Sequence, residues 1–233
     1  MWFDDGKIGA IVTGSRTNEL TLKINHVPPT GARLHSAKGI NLPDTKLPIA
    51  ALTAQDEKDL ITAVAIADII NVSFVRSAAD VELVLKRLEA LGAAQVGIVL
   101  KIETVAGFAC LPEVLLAAMR SERVGVMIAR GDLAIEAGYE RMAEVQEEIL
   151  WVCEGAHLPV IWATQVLDQM ARTGRPSRAE VTDAAFAARA ECIMLNKGPY
   201  IVQAMATLLN INSRMRDHHH KKQSLLRQLH AWD

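Results

Sequence analysis

The chain is poor in the features that most readily class a protein. Cysteine is scarce, with Cys110, Cys153 and Cys192 the only three in 233 residues. Few, odd in number and set among apolar residues, they exclude a disulfide framework or a zinc site. They read as reduced core thiols of a cytoplasmic protein. Charge of either sign is not in excess: the formal net charge is −2. Nothing therefore draws the chain as a whole toward nucleic acid or an acidic membrane. Long hydrophobic runs are missing too, none reaching the ~18 residues of a membrane span. The opening MWFDDGK has no signal-peptide character. These absences predict a soluble, cytoplasmic protein with no nucleic-acid or membrane partner.

What is present is half hydrophobic, enough for one or two globular domains and too much for disorder. Over residues 1–47, KIGAIVTG and ELTLKINHV alternate like antiparallel strands, punctuated by Asp5-Gly6, Pro28-Pro29, Thr30-Gly31 and Pro43-Asp44. From Leu52 the rhythm changes to helix, strand, helix, strand. Thr53 with Asp56, Ser77 with Asp80 and Ser177 with Glu180 each form a capping pattern at a helix start. Strands are expected over 71–77, AQVGIVLKIE, 123–133, 158–165 and 191–198. A last helix ends near Met215, and the chain closes in a polar tail, residues 213–233 as a segment. There, His218, His219 and His220 read as solvated residues of a charged tail and not as metal ligands.

Such alternation means parallel strands with crossover helices. No strand is followed by GxGxxG or GxxxxGK[ST], which removes the main signature of the nucleotide-binding open sheets. Polar residues instead gather at the C-terminal ends of consecutive strands. They are Arg76, then Lys101 and Glu103, Arg130 and Asp132, Thr164 and Gln165, and Asn196 and Lys197. Barrel enzymes keep their chemistry at that end. The expected fold is therefore α/β, a partial TIM (β/α)8-type barrel with about five of eight units, preceded by a short β segment.

Lys101 and Glu103 lie two apart in GIVLKIETVAG, so they share one face of a strand. Glu103 and Asp132, on neighbouring strand ends, suit a hard cation such as Mg²⁺ or Mn²⁺ that takes oxygen ligands and keeps positions open for substrate. Lys101 could stabilise charge developing on an enolate or on a phosphoryl group. A unit-charge pair ~4 Å apart is worth about 4 kcal/mol at an effective dielectric of 20. Arg130-Gly131-Asp132 could offer backbone amides to a carboxylate, and Thr164 adds a hydroxyl. The bland alternative is that Lys101 and Glu103 form a plain salt bridge plugging the barrel end and Asp132 caps a turn.

LKIET, MIARGDLAIE, PVIWATQVLDQM, RPSRAEVTDAAFAA and ECIML, in this order, resemble the second half of the pyruvate kinase barrel. FDDGKI, AKGINLP and LTAQDEKDL resemble the end of that family's lid domain and its return to the barrel, and SFVRSAADV the strand and helix that follow. The resemblance implies a lid remnant over 1–47 and part of the catalytic barrel over 48–212. It implies glycolytic phosphoryl transfer from phosphoenolpyruvate to ADP, giving pyruvate and ATP, with Mg²⁺ (or Mn²⁺) and K⁺. Position by position, Lys101 matches the lysine that stabilises the phosphoryl-transfer transition state. Glu103 and Asp132 match the metal carboxylates. Gly131, with the amides of Ala129 and Arg130, matches the loop that receives the substrate carboxylate, and Thr164 matches the threonine near the enolate methylene carbon.

Departures from the pattern carry information as well. The first barrel strands, most of the lid and the C-terminal domain have no counterpart here, and with them go the K⁺ ligands and an arginine facing the phosphate. LNKGPYIVQAM stands where the family reads SGET, which strips polar groups from the ADP side. Two open sheet edges imply a homo-oligomer or a fragment of a longer chain. Two other readings compete with the kinase. IET and GDL also suit metal-dependent aldolases and lyases acting on pyruvate enolates. A non-catalytic, metal-binding relative of the kinases is the third.

Overall fold

The computed structural model describes residues 1–219, with side chains to residue 215. The first strands are β1 (Trp2–Phe3), β2 (Ile8–Arg16), β3 (Glu19–His26) and β4 (Ile40–Asn41). They form a small antiparallel sheet in the order β3-β2-β1-β4. Its core is Phe3, Ile8 and Ala10, whereas most of β2 and β3 is exposed. The alternation read from the sequence belongs to a hairpin with one weakly covered face.

The second unit begins with α1 (Ala54–Ile66), β5 (Ile69–Val72), α2 (Ala78–Ala90), β6 (Gly97–Ile102), α3 (Val105–Ala109), α4 (Leu111–Ala118) and β7 (Val124–Ala129). It continues with α5 (Arg130–Ala137), α6 (Met142–Gly155), β8 (Val160–Val166), α7 (Asp168–Thr173), α8 (Arg178–Ala187), β9 (Cys192–Leu195) and α9 (Ile201–His219). The strands pair in parallel and in chain order, β5-β6-β7-β8-β9. The result is a curled half-barrel with helices outside. Alternation sorts each strand: Ile98, Leu100 and Ile102 of β6, and Val126 and Ile128 of β7, pack on the helices. Val99, Met127 and Ala163 form a thin apolar layer inside the curl. The strands β5 and β9 are edges, where Ile69 and Met194 remain exposed.

All three expected capping pairs are present as full capping boxes, opening α1, α2 and α8. Several element bounds differ from the sequence reading. The strand expected over 71–77 is Ile69–Val72, because Phe74 turns to φ +52° and breaks the ladder. The strand expected over 123–133 stops at Ala129, and Arg130, Gly131 and Asp132 form the first turn of α5. The short helices α3 and α7 had no periodic signal long enough to be read. Cys192 is exposed on β9 and Cys110 is half-buried, so only Cys153 is the core thiol that was expected. Burial, then the charge of Glu191, pushes Cys153 up to about 12. The helix α9 continues to His219, beyond the start of the expected tail; His220 and the rest of that tail lie outside the described residues.

One glycine brings the segment after β5 against the strand ends. Gly107 sits in the first turn of α3, donating to the N-cap hydroxyl of Thr104 at 3.0 Å. A Cβ there would stand 2.2 Å from the carbonyl oxygen of Val75. Gly→Ala inside a helix ordinarily gains up to about 1 kcal/mol. Here Gly107→Ala is expected to lose about 1–3 kcal/mol, since backbone has to give way. Urea denaturation checks the sign: a gain in stability would mean that the 73–77 segment does not press on α3.

Candidate active site

At the end of β6, a carboxylate is buried by design of the strand. Lys101 and Glu103 both point to the inner side, and Glu103 is 2% exposed. An ionised carboxylate out of water needs partners on each oxygen. Oε1 meets the Lys101 ammonium at 2.9 Å, and Oε2 accepts the Phe74 N–H at 2.6 Å. Lys101 also donates to Ser73 Oγ at 2.9 Å. The turned segment Ser73–Phe74 thus supplies both the donor that holds Glu103 and an acceptor that steers Lys101.

The end of β7 makes the next wall. Ala129 is the N-cap of α5 and brings no side-chain cap, leaving the first-turn N–H groups of the helix unclaimed by it. A Cβ on Gly131 would find only Thr164 Oγ1, at 3.9 Å. The helix terminus is therefore open beside that hydroxyl, with the positive end of its dipole facing the opening. Asp132 follows in the same turn, its Oδ1 accepting from Asn41 Nδ2 at 3.2 Å. Nearby, burial pushes the Glu136 carboxyl above the usual carboxylate range. A hydrogen bond from Asn41 opposes that shift, and the charge of Asp132 adds to it.

The end of β8 is held in an unusual conformation. Thr164 and Gln165 have φ of +68° and +59°, and Leu167 +49°. Side-chain-bearing residues avoid this region at a cost on the order of 1–3 kcal/mol each. The pairing of β8 with β9 is interrupted between Trp162 and Val166. Arg130 fastens the turn: Nε donates to the Ala163 carbonyl at 3.0 Å, and Nη2 to the Thr164 carbonyl. The guanidinium is itself gripped by both oxygens of Asp183 and stacks over Trp162 at 4.9 Å.

Lys101, Glu103, Ala129, Gly131, Asp132 and Thr164 line one open pocket of about 300 Å³, completed by Asn71, Ser73, Met127 and Met194. The Arg130 side chain does not join it and lines a second opening with Asp183 and Glu180. Its guanidinium is committed to the β8 turn, so only its backbone remains for a ligand in the first pocket. Other strand-end residues are drawn elsewhere. Arg76 ties down the Leu47 and Ile49 carbonyls at 3.2 and 2.7 Å, and Asn196 donates to Asp168 at 2.6 Å. Sequence reading missed Asn41, Ser73 and Asp183. Asn41 and Asp183 are distant in the chain from the groups they hold, and no spacing rule points to them.

The donor set fits a hard divalent cation. Two carboxylates reach one pocket whose remaining volume can admit water and substrate oxygens, the arrangement Mg²⁺ prefers. Among the described residues no cluster of three or more His, Cys, Asp or Glu forms a closed metal cage. No described helix is long and apolar enough to cross a membrane.

Comparison with known proteins places these features in a family. The family model "Pyruvate kinase, barrel domain" matches residues 1–204. A pyruvate kinase of Bacillus licheniformis is 35% identical over 227 residues, covering 94% of this chain and 38% of that protein. One from Geobacillus stearothermophilus is 37% identical, covering 79% of this chain and 32% of the relative. Pyruvate kinase PKLR of Rattus norvegicus is 37% identical, with 88% and 35% covered. The chain thus spans well under half the length of these relatives.

The Arg130 clamp has a measurable weight. Asp183→Ala leaves a largely buried guanidinium without its anion and is expected to cost about 2 kcal/mol in urea unfolding. An unchanged midpoint would show that the two carbonyls hold Arg130 and the β8 turn unaided.

Proposed function

The chain belongs to the pyruvate kinase family, and on that premise we propose that its pocket is a phosphoryl-transfer site handling phosphoenolpyruvate and ADP. The observation that supports this most is the meeting of an ammonium, two carboxylates, an uncapped helix N-terminus and a hydroxyl in one opening. Phosphoryl transfer asks little covalent chemistry of a protein. It asks for position and for charge of the right sign where charge builds up. Residues 1–47 are read as part of the lid, 48–212 as part of the catalytic barrel and 213–233 as the tail. Cytoplasmic glycolysis is the setting, and assembly with another copy or inclusion in a longer polypeptide is part of the same reading.

Glu103 and Asp132 would hold Mg²⁺ or Mn²⁺. The cation, when bound, neutralises negative charge on phosphoryl and enolate oxygens. Lys101, poised between Glu103 and Ser73, directs its ammonium at the phosphoryl oxygens while the bond to the enol oxygen breaks and the bond to the ADP oxygen forms. The first-turn amides at Arg130 and Gly131 receive the substrate carboxylate. Thr164 sets its hydroxyl beside the enolate carbon, which takes up a proton from solvent water to become the methyl group of pyruvate. K⁺ enters this reading on the family resemblance alone.

A lactate dehydrogenase-coupled assay of the purified chain with phosphoenolpyruvate, ADP, Mg²⁺ and K⁺ tests the proposal. With the ADP side stripped of polar groups, slow ADP-dependent pyruvate formation is expected, and Lys101→Met should lower it by about 100-fold or more. Asp132→Ala should first weaken Mn²⁺ binding, read by the free-ion EPR signal. A folded wild-type chain with no turnover would overturn the catalytic reading for this chain. Pyruvate enolisation without nucleotide would move it to the lyases.

A further inference from the structure

Asn41 is the most buried polar link between the small antiparallel sheet and the half-barrel. It is 5% exposed on β4, whose two residues pair with β1, Trp2 opposite Asn41. Across 91 positions of sequence its amide N–H donates to Asp132 Oδ1 at 3.2 Å. Its own carbonyl oxygen, Oδ1, is buried with no hydrogen-bond partner.

That imbalance is informative. A buried carbonyl left unpaired costs about 1–3 kcal/mol, and an apolar side chain of the same volume would avoid the cost. What the amide supplies in exchange is an N–H donor to the Asp132 carboxylate, and donors to charged acceptors make the stronger hydrogen bonds. Asp132 and Glu136 stand one helical turn apart on α5 with like charge. The amide donor on Asp132 offsets part of their repulsion. It also occupies one oxygen of Asp132 and leaves Oδ2 as the oxygen free to meet a cation.

We propose that Asn41 is a positioning residue for the metal site: it orients the Asp132 carboxylate toward the pocket and so makes cation affinity depend on the small sheet's last strand. This rests on the reading of Asp132 as a metal ligand. Groups that orient a ligand from behind commonly change metal affinity 10–100-fold when removed.

The test is Mn²⁺ binding to the whole chain by EPR, well below the melting temperature, alongside the thermal midpoint without metal. Asn41→Leu removes the donors at similar volume and should weaken Mn²⁺ about 10-fold. Phe3→Ala is the comparison: Phe3 anchors the same sheet at 7% exposure and does not belong to the amide's contacts. It should lower the midpoint and leave Mn²⁺ affinity within about 2-fold, since a cavity affects stability and not the Asp132 contact. Asn41→Ser, too short to reach Asp132, repeats the test should the leucine variant not fold. Unchanged affinity in the Asn41 variants would overturn the inference alone. Equal weakening by Phe3→Ala would overturn it too, reducing Asn41 to a tether. Absence of Mn²⁺ binding by the wild-type chain would overturn the metal-site reading and this inference with it.

Discussion

The carboxylate of Glu103 is the charge around which the pocket is organised. It is taken almost wholly out of water, and a buried anion is tolerated only where the surroundings answer each oxygen. That requirement fixes Lys101 on the same strand face and brings the Phe74 amide onto the second oxygen. Phe74 can do so only because the chain leaves the ladder after Val72 with a left-handed residue, and because Gly107 lets that segment lie against α3. One buried charge thus accounts for the early end of β5, the turn after it and a glycine in a helix that would otherwise prefer alanine.

The other strand ends solve the same problem by different means. At β7 the helix starts at once, so main-chain N–H groups are presented where a loop would have scattered them. At β8 the carbonyls of Ala163 and Thr164 are pulled out of line and satisfied by Arg130, which Asp183 neutralises. Arginine suits this task because its planar fork can bond carbonyls and a carboxylate together. Its side chain carries the shape of the pocket wall without entering the pocket.

Much of the architecture was legible in the sequence because it rests on local rules. Capping boxes, apolar strand cores and the gathering of polar residues at strand ends depend on neighbours a few positions apart, and LKIET reads correctly as one face bearing two charges. What escaped depends on distance or on backbone choice. ARGDL is as compatible with a continuing strand as with a helix that starts at Arg130. The left-handed pair Thr164–Gln165 contains no glycine to announce it, because Arg130 from another element stabilises it. Asn41 is an ordinary residue in AKGINLP until the sheet pairing sets it against α5.

The two exposed edges, β5 and β9, restrict the symmetry of any assembly that extends the sheet. A two-fold axis normal to the sheet would pair β9 with its own copy in antiparallel fashion. A two-fold axis lying along the β9 edge would pair β9 with its copy in parallel but turn one concave face outward. Continuing both strand direction and curvature requires the β9 edge of one molecule to meet the β5 edge of the next. That contact joins unlike surfaces, so its repetition either closes into a ring or continues as an open array. The order in which five strands were laid down therefore decides the class of symmetry open to the sheet.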